Sequence, residues 1–287
     1  MVEFTVPEVD YTRYTNRQLA AVPLAVLAVA LLVIGGWYVA TGAPVNPGVD
    51  FTGGTELRIA TDAPQSEVTA AFDSQPESIR SVAADGTYVV TFQSGSATSS
   101  ELQTQAEDAG FEVRSIDAVS ANFGGETQLL ALGGLAVAFA GMSVLVFAMF
   151  RTFVPSIAVV LSAFSDIVIP VALMNLFGIE LSLGTVAALL MLIGYSVDSD
   201  ILLNNHVLRR SGDFYESTAR AMRTGVTMTL TSIAAMIVMT ITATLFGIQL
   251  LAAIGTVLVF GLTADLMNTY MLNVTLLRWY KFEGVAR

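Results

Sequence analysis

MLIGYSVDSDILLNNHVLRR, residues Met191 to Arg210, starts as a membrane helix, carries Asp198 and Asp200 within the apolar run, and closes on Arg209 and Arg210. A charged side chain at the bilayer centre costs at least roughly 2.5–3.5 kcal/mol, so two acids within three residues need an explanation. Either the helix ends early, leaving both acids among the headgroups beside the arginines, or the acids are held inside a helix bundle as an ion relay or a polar lock. Counting from Leu181, Asp198 lies 17 residues in, about 26 Å along the helix. That is past the middle of a hydrocarbon core of about 30 Å but still inside it. The expectation is a buried acid.

The rest of the chain agrees with a membrane setting. Of 287 residues, 54% are hydrophobic and 13% charged, about half the charge of an ordinary soluble domain. There is no cysteine and only one histidine, His206. Disulfides, thiolate chemistry and multi-histidine metal sites are thereby excluded. The first apolar run follows seventeen polar-leaning residues and is too long for the core of a cleavable leader, so none is expected.

Charge is distributed unevenly. Residues 42–126 hold 13 acids and 3 arginines, a net −10, whereas the remaining 11 acids and 10 bases give −1. Lys281 is the sole lysine. A soluble surface that is acidic and poor in lysine suits very high salt. It offers no basic patch for nucleic acid.

Six segments satisfy the length rule for membrane helices. The expected organisation is a cytoplasmic N-terminal segment at 1–17 and a first span at 18–41. An outer domain follows at 42–125, then a five-helix bundle within 126–278 (about 128–150, 153–177, 181–205, 224–246 and 249–277), and a cytoplasmic tail at 279–287. In this arrangement Arg13, Arg17, Arg151, Arg209, Arg210, Arg220, Arg223, Arg278, Lys281 and Arg287 share one side, against Arg58, Arg80 and Arg114 on the other. That bias puts both termini in the cytoplasm and the large loop outside.

The outer loop reads as a compact α+β domain. Strands are expected at Thr55–Ala60, Ser78–Ala83, Thr87–Phe92 and Phe111–Val119, with a hairpin turn around Asp85-Gly86. Helices are expected from Pro64 to Phe72 and from a Ser99 cap to Ala109, the latter ended by Gly110. The order β-α-β-β-α-β is ferredoxin-like. A weak internal echo pairs Phe177–Leu181 with Phe246–Leu250, each ahead of a Gly-x-x-x-Asp (Gly194/Asp198 and Gly261/Asp265). Two equivalent hairpins would produce it, and so would chance in apolar sequence.

Asp166, Asp198, Asp200 and Asp265 all lie within expected spans. Ser162, Asp166 and Pro170 share one helix face. Gly184, Met191, Gly194 and Asp198 share another, and Ser196, Asp200 and Asn204 a third. Asp198 and Asp200 are about 200° apart around the axis and cannot face one partner. Arg223, Thr227 and Thr231 line the fifth helix, and Gly261, Asp265, Asn268 and Thr269 cluster on the sixth. The sum is a polar interior shared by helices three to six. Asp198 is expected to point into it and Arg223 to be its counter-charge. Each acid has a plainer reading as a hydrogen-bonded residue that fixes helix register. No Ser/His pair, phosphate loop or metal cluster appears in the sequence, so catalytic residues, a metal and a cofactor are not expected.

Two motifs carry a resemblance. Gly48-Val-Asp50-Phe51-Thr-Gly53-Gly54-Thr-Glu-Leu57, just after the first span, resembles the signature at that place in the SecF members of the SecD/SecF protein-export family. Gly194-Tyr195-Ser196-Val197-Asp198 resembles the family's fourth-helix signature, and Asp166 and Arg223-Thr224 also match. The resemblance implies a non-enzymatic accessory of the Sec machinery, in the resistance-nodulation-division superfamily. It implies a SecD partner, a SecY-type translocon, a translocating polypeptide and membrane lipids around it, and ion coupling by H⁺ or Na⁺. One departure stands out. Bacterial members of the family commonly carry the helix-four acid where Ser199 stands here, and Asp198 and Asp200 flank that place. With the acidic surface, this departure suggests an archaeal, salt-adapted member. The rival readings are a half-transporter exporting small molecules or lipids, and a scaffold without ion coupling.

Overall fold

The computed structural model describes residues 10–82, 86–209 and 213–284. In chain order the elements are α1 (Asn16–Thr41), α2 (Val49–Thr52), β1 (Gly54–Ala60), α3 (Gln65–Ala70), β2 (Ser78–Val82), β3 (Thr87–Phe92), α4 (Ser99–Asp108), β4 (Glu112–Val119), α5 (Ala121–Phe150), α6 (Phe153–Phe177), α7 (Leu183–Arg209), α8 (Phe214–Leu245), α9 (Gln249–Met267) and α10 (Val274–Trp279). Two compact units result: one runs to Asn46 and resumes at Gly134, and the other is Pro47–Gly133.

The first unit contains helices long and apolar enough to cross a membrane, six in all when α5 is counted. α9 is its hub, packing against α6, α7 and α8. α1 lies against α6 through Leu27 and Ala30, which meet Val168, Ile169 and Ala172. A capping box starts α1, with Thr15 accepting from Gln18 N while the Gln18 side chain takes the Thr15 N–H. α9 runs on into a π-helical turn, Asn268–Asn273, before α10. The 224–246 expectation for the fifth span began ten residues late. Asp213 caps the helix by accepting from Tyr215 N, and buried Phe214 anchors its first turn.

The echoed sequences prove to be helix stops. After α6 the N–H of Ile179 bonds Met174 O (2.9 Å), and after α8 the N–H of Ile248 bonds Ala243 O (2.8 Å). Gly178 (φ 67°) and Gly247 (φ 70°) supply the left-handed residue that this six-to-one closure demands. The likeness ends there. A Cβ on Gly261 would collide with Leu192, whereas Gly194 has open space around it.

Ahead of α1, Tyr11–Arg13 forms a short 3-10 turn. Tyr11 is buried among Leu203, Val207, Phe214 and Tyr270, and its hydroxyl donates to Tyr270 O at 3.0 Å. Burial pushes that hydroxyl's pKa up to about 12. Arg278 holds the turn from the far end of the chain, donating to Tyr11 O (2.9 Å), to Tyr14 O (3.0 Å) and to the Asn16 side chain.

The second unit is a four-stranded antiparallel sheet in the order β2-β3-β1-β4, with α3 and α4 on one face. This is the ferredoxin-like arrangement the element order suggests. Leu57, Ile59, Val90 and Phe92 alternate inward from the two central strands to meet Val68, Leu102 and Ala106 of the helices. Thr98, not Ser99, caps α4, because Glu101 three residues on completes a capping box only with Thr98. α3 is shorter than the Pro64–Phe72 expectation, with Pro64 itself in the cap position. Of the expected hairpin turn, Asp85 lies outside the described residues and Gly86 has φ 69°.

Candidate functional site

The polar interior forms where α6, α7 and the α9–π segment meet. Asp166, Asp200 and Asp265, from these three helices, are 1%, 0% and 2% exposed. Every described hydrogen bond to their carboxylates comes from a neutral group. Asp166 takes one from the Ser196 hydroxyl (2.7 Å) and one from the Asn268 amide (2.6 Å). Asp200 takes the Asn273 amide (2.7 Å) and the Thr269 hydroxyl (2.9 Å) on the same oxygen, Oδ1. Asp265 takes the Ser199 hydroxyl (2.8 Å) and the Thr269 hydroxyl (3.3 Å), again on Oδ1. Ser162 lies beside both Asp166 and Asp200 without a normal hydrogen bond to either.

Local sequence explains the assembly. Ser196, Asp200 and Asn204 recur every four residues on α7 and form its inward stripe; the Asn204 amide donates to Asp200 O at 2.8 Å. On the sixth span, Asp265, Thr269 and Asn273 have the same spacing. The π turn closes on longer i→i+5 bonds, which brings Asn268 and Asn273 toward one face. Asn273 is the site residue that sequence reading missed. Its signal is the four-residue spacing from Thr269, one turn beyond the Asn268/Thr269 cluster.

Two expected members sit elsewhere. Asp198 is exposed on the outer side of α7, with Gly194, Tyr195 and Met191, so its carboxylate does not point into the polar interior. The physical reason is its angular separation from Asp200: only one of the two can face α9. Arg223, Thr227 and Thr231 likewise lie on the outer side of α8, where the threonine hydroxyls donate to Arg223 O and Thr227 O (2.8 Å each). The polar interior therefore excludes that stripe. His206 is half-buried and its Nδ1 bonds Leu202 O (2.9 Å), away from the acids. The Asp, Glu and His side chains among the described residues form no metal-ligating group.

In the second unit, the Gly-rich stretch is a packing device. Phe51 is buried within α2. Gly53 (φ 71°) and Gly54 (φ 131°) adopt backbone angles that side chains resist. A Cβ on Gly54 would lie 2.5 Å from Phe92 O, and one on Gly124 of α5 would lie 2.8 Å from Gly53 N. Gly48 is the residue before α2, in extended conformation, and Asp50 lies in that helix's only turn.

The family described as "Protein export membrane protein SecD/SecF, C-terminal" matches residues 99–283, and "SecD/SecF GG Motif" matches 38–65. The chain belongs to the SecD/SecF family. It is 98% identical over 287 residues to the protein-export membrane protein SecF of Haloferax volcanii, covering 100% of both chains. Identity to the SecF of Haloquadratum walsbyi is 71% over 291 residues, with full coverage of both. Identity to that of Methanocaldococcus jannaschii is 40% over 288 residues, covering 93% of this chain and 96% of the relative. The fold is similar to that in the crystal structure of SecDF, a translocon-associated membrane protein from Thermus thermophilus. The TM-score is 0.74 at 19% identity, covering 96% of this chain and 39% of that one. Relatives from halophilic sources agree with the acidic, lysine-poor composition. Within the Gly194-Tyr195-Ser196 run, Ser196 faces inward to hold Asp166, while Gly194 and Tyr195 face outward.

Proposed function

We propose that this SecD/SecF-family chain works with a SecD partner beside a SecY-type translocon and couples an ion gradient to the export of a translocating polypeptide. The observation that carries the coupling is the buried acid cluster. Three carboxylates of like charge, with no basic side chain among their described partners, cannot all stay ionised in an apolar bundle without uptake of protons or cations. Neutral hydroxyl and amide donors tolerate both states of an acid, so the bundle can load and unload. Packing geometry then depends on occupancy, as a transport cycle needs. The ten-to-three bias of basic residues supports cytoplasmic termini and an outward second unit. The match to the SecD/SecF C-terminal family, the GG motif and the full-length similarity to export proteins support the Sec assignment over a small-molecule exporter.

The test replaces the chromosomal copy with Asp200→Asn or Asp265→Asn and follows export of a secreted reporter as the ion gradient is varied. Both variants should accumulate to normal levels in the membrane, yet export should fall several-fold and lose its dependence on the gradient. Wild-type export with a wild-type gradient response in both variants would leave the cluster a structural lock.

A further inference from the structure

The Thr269 hydroxyl is the one described donor in the cluster that reaches two carboxylates. Asn268 and Asn273 give the carboxylates amide hydrogens that do not transfer, and the Ser196 and Ser199 hydroxyls each reach one carboxylate. A hydroxyl can accept a proton on one side while releasing one on the other. Thr269 stands 2.9 Å from Asp200 Oδ1 and 3.3 Å from Asp265 Oδ1, and its single hydrogen can serve only one of them at a time. Ser199 braces the arrangement, at 2.8 Å from Asp265 Oδ1 and 3.2 Å from the Thr269 oxygen.

We infer that Asp200, Thr269 and Asp265 form one proton-sharing unit, in which the Thr269 hydroxyl relays a single proton between the two carboxyls. This rests on the ion-coupling reading for its purpose and on the distances for its existence. When Asp265 holds the proton, its O–H bond breaks as a new O–H bond forms at Thr269 Oγ. The original Thr269 O–H breaks as an O–H forms at Asp200 Oδ1. Asp265 ends as carboxylate, Asp200 as carboxylic acid, and Thr269 as an unchanged hydroxyl turned the other way. No group outside the three is consumed.

The surroundings suit a shared proton. α6 presents Asp166, whose oxygens are taken by Ser196 and Asn268, so it stands outside the bridge. The π turn presents Tyr270, and Tyr11 lies beyond it. The buried residues of α1, α8 and α10 include no titratable side chain. Thr269 thus carries the proton itself, through its own hydroxyl.

The test is infrared difference spectroscopy of the full-length chain in liposomes, titrated with pH, the carboxyl bands being assigned with Asp200→Asn and Asp265→Asn. In the wild type, the two acids should titrate as a coupled pair, so that Asp200→Asn moves the Asp265 midpoint by at least about one pH unit. Thr269→Val should abolish the deuterium-sensitive coupling between the two bands, and Thr269→Ser should restore it. Should Thr269→Val fail to fold, Thr269→Ala, which also removes the hydroxyl, takes its place, because charge repulsion alone couples the two midpoints and only loss of the hydroxyl tests the relay. Independent midpoints, unchanged spectra in Thr269→Val, or bands that follow Na⁺ concentration instead of pH would overturn the relay. Export that ignores the ion gradient while the coupled titration persists would refute the functional reading and leave the relay standing.

Discussion

Among the described residues of Pro47–Gly133 the acids stay at or near the surface apart from Glu56, and Glu56 is gripped by a base: Arg58 reaches its Oε1 through Nε (2.9 Å) and Nη2 (2.8 Å). In the bundle, Asp166, Asp200 and Asp265 are buried and held by serine, threonine and asparagine. A base fixes an acid in one charge state and makes it structural. Neutral donors leave the charge state open. The second unit therefore holds its described acids as solvated surface plus one lock, and the bundle holds three by neutral donors alone among their described partners.

The strongest way to break that contrast is to remove the lock. Arg58→Ala leaves Glu56 in the sheet without its cation and should cost the second unit about 3 kcal/mol. Hydrogen exchange at β1 and β3 in the intact chain would register it, and unchanged protection there would show that Glu56 needs no base. A smaller effect is expected in the bundle. Asp166→Ala strands the Ser196 hydroxyl and the Asn268 amide, costing about 1–3 kcal/mol. Asp198→Ala, on the outer side of the same helical layer, should stay within about 0.5 kcal/mol. Thermal unfolding in detergent separates the two, and equal losses would mean that burial does not distinguish these acids.

Much of this was legible in the residues. Hydropathy gave the spans, alternation gave the strands, and i+4 spacing gave the Ser196/Asp200/Asn204 stripe before any coordinates. The choice of stripe was harder. Two glycines accompany Asp198 on its stripe, yet only Gly184 packs closely, against Leu250, while Gly194 beside the acid meets nothing. Which face of an apolar helix turns inward depends on the partners that α9 supplies, and those lie 60 to 75 residues downstream. The early start of α8 was hidden for another reason. Its first two turns are amphipathic and not apolar, with Glu216 and Arg220 paired at 3.5 Å, so a membrane-length criterion passes over them.

Salt sharpens the contrast from the outside. Residues 42–126 carry a net −10, and the Debye length grows from about 3 Å at 1 M to about 30 Å at 0.01 M. Dilution should lower the melting temperature of the second unit by about 5 °C, the shift that roughly 1 kcal/mol makes in a domain of that size. The bundle, whose Asp166, Asp200 and Asp265 are shielded by protein, should barely respond. Parallel salt responses of the two units, followed by hydrogen exchange, would remove the argument that surface charge sets the second unit's salt requirement.

The smallest effect tests whether the bundle's neutral-donor rule extends to its edge. Tyr11 offers its hydroxyl to Tyr270 O, next to Thr269, and burial holds its pKa at about 12 against an ordinary value of about 10. The sign follows from linkage. Below about pH 10 the tyrosine is neutral in folded and unfolded chains alike, and its contribution is fully present. Between about 10 and 12 the unfolded form ionises first, so stability falls as pH rises through the folded value. The N-terminal turn should therefore release on alkaline titration, seen as protease cleavage near residues 11–14. Tyr11→Phe removes one hydrogen bond, worth about 0.5–1.5 kcal/mol at neutral pH, together with the ionisable proton. Its turn should be slightly looser at pH 7 and no looser still at pH 12. An alkaline release that persists in Tyr11→Phe would assign the transition to another group and detach this turn from the π segment that carries the acid cluster's donors.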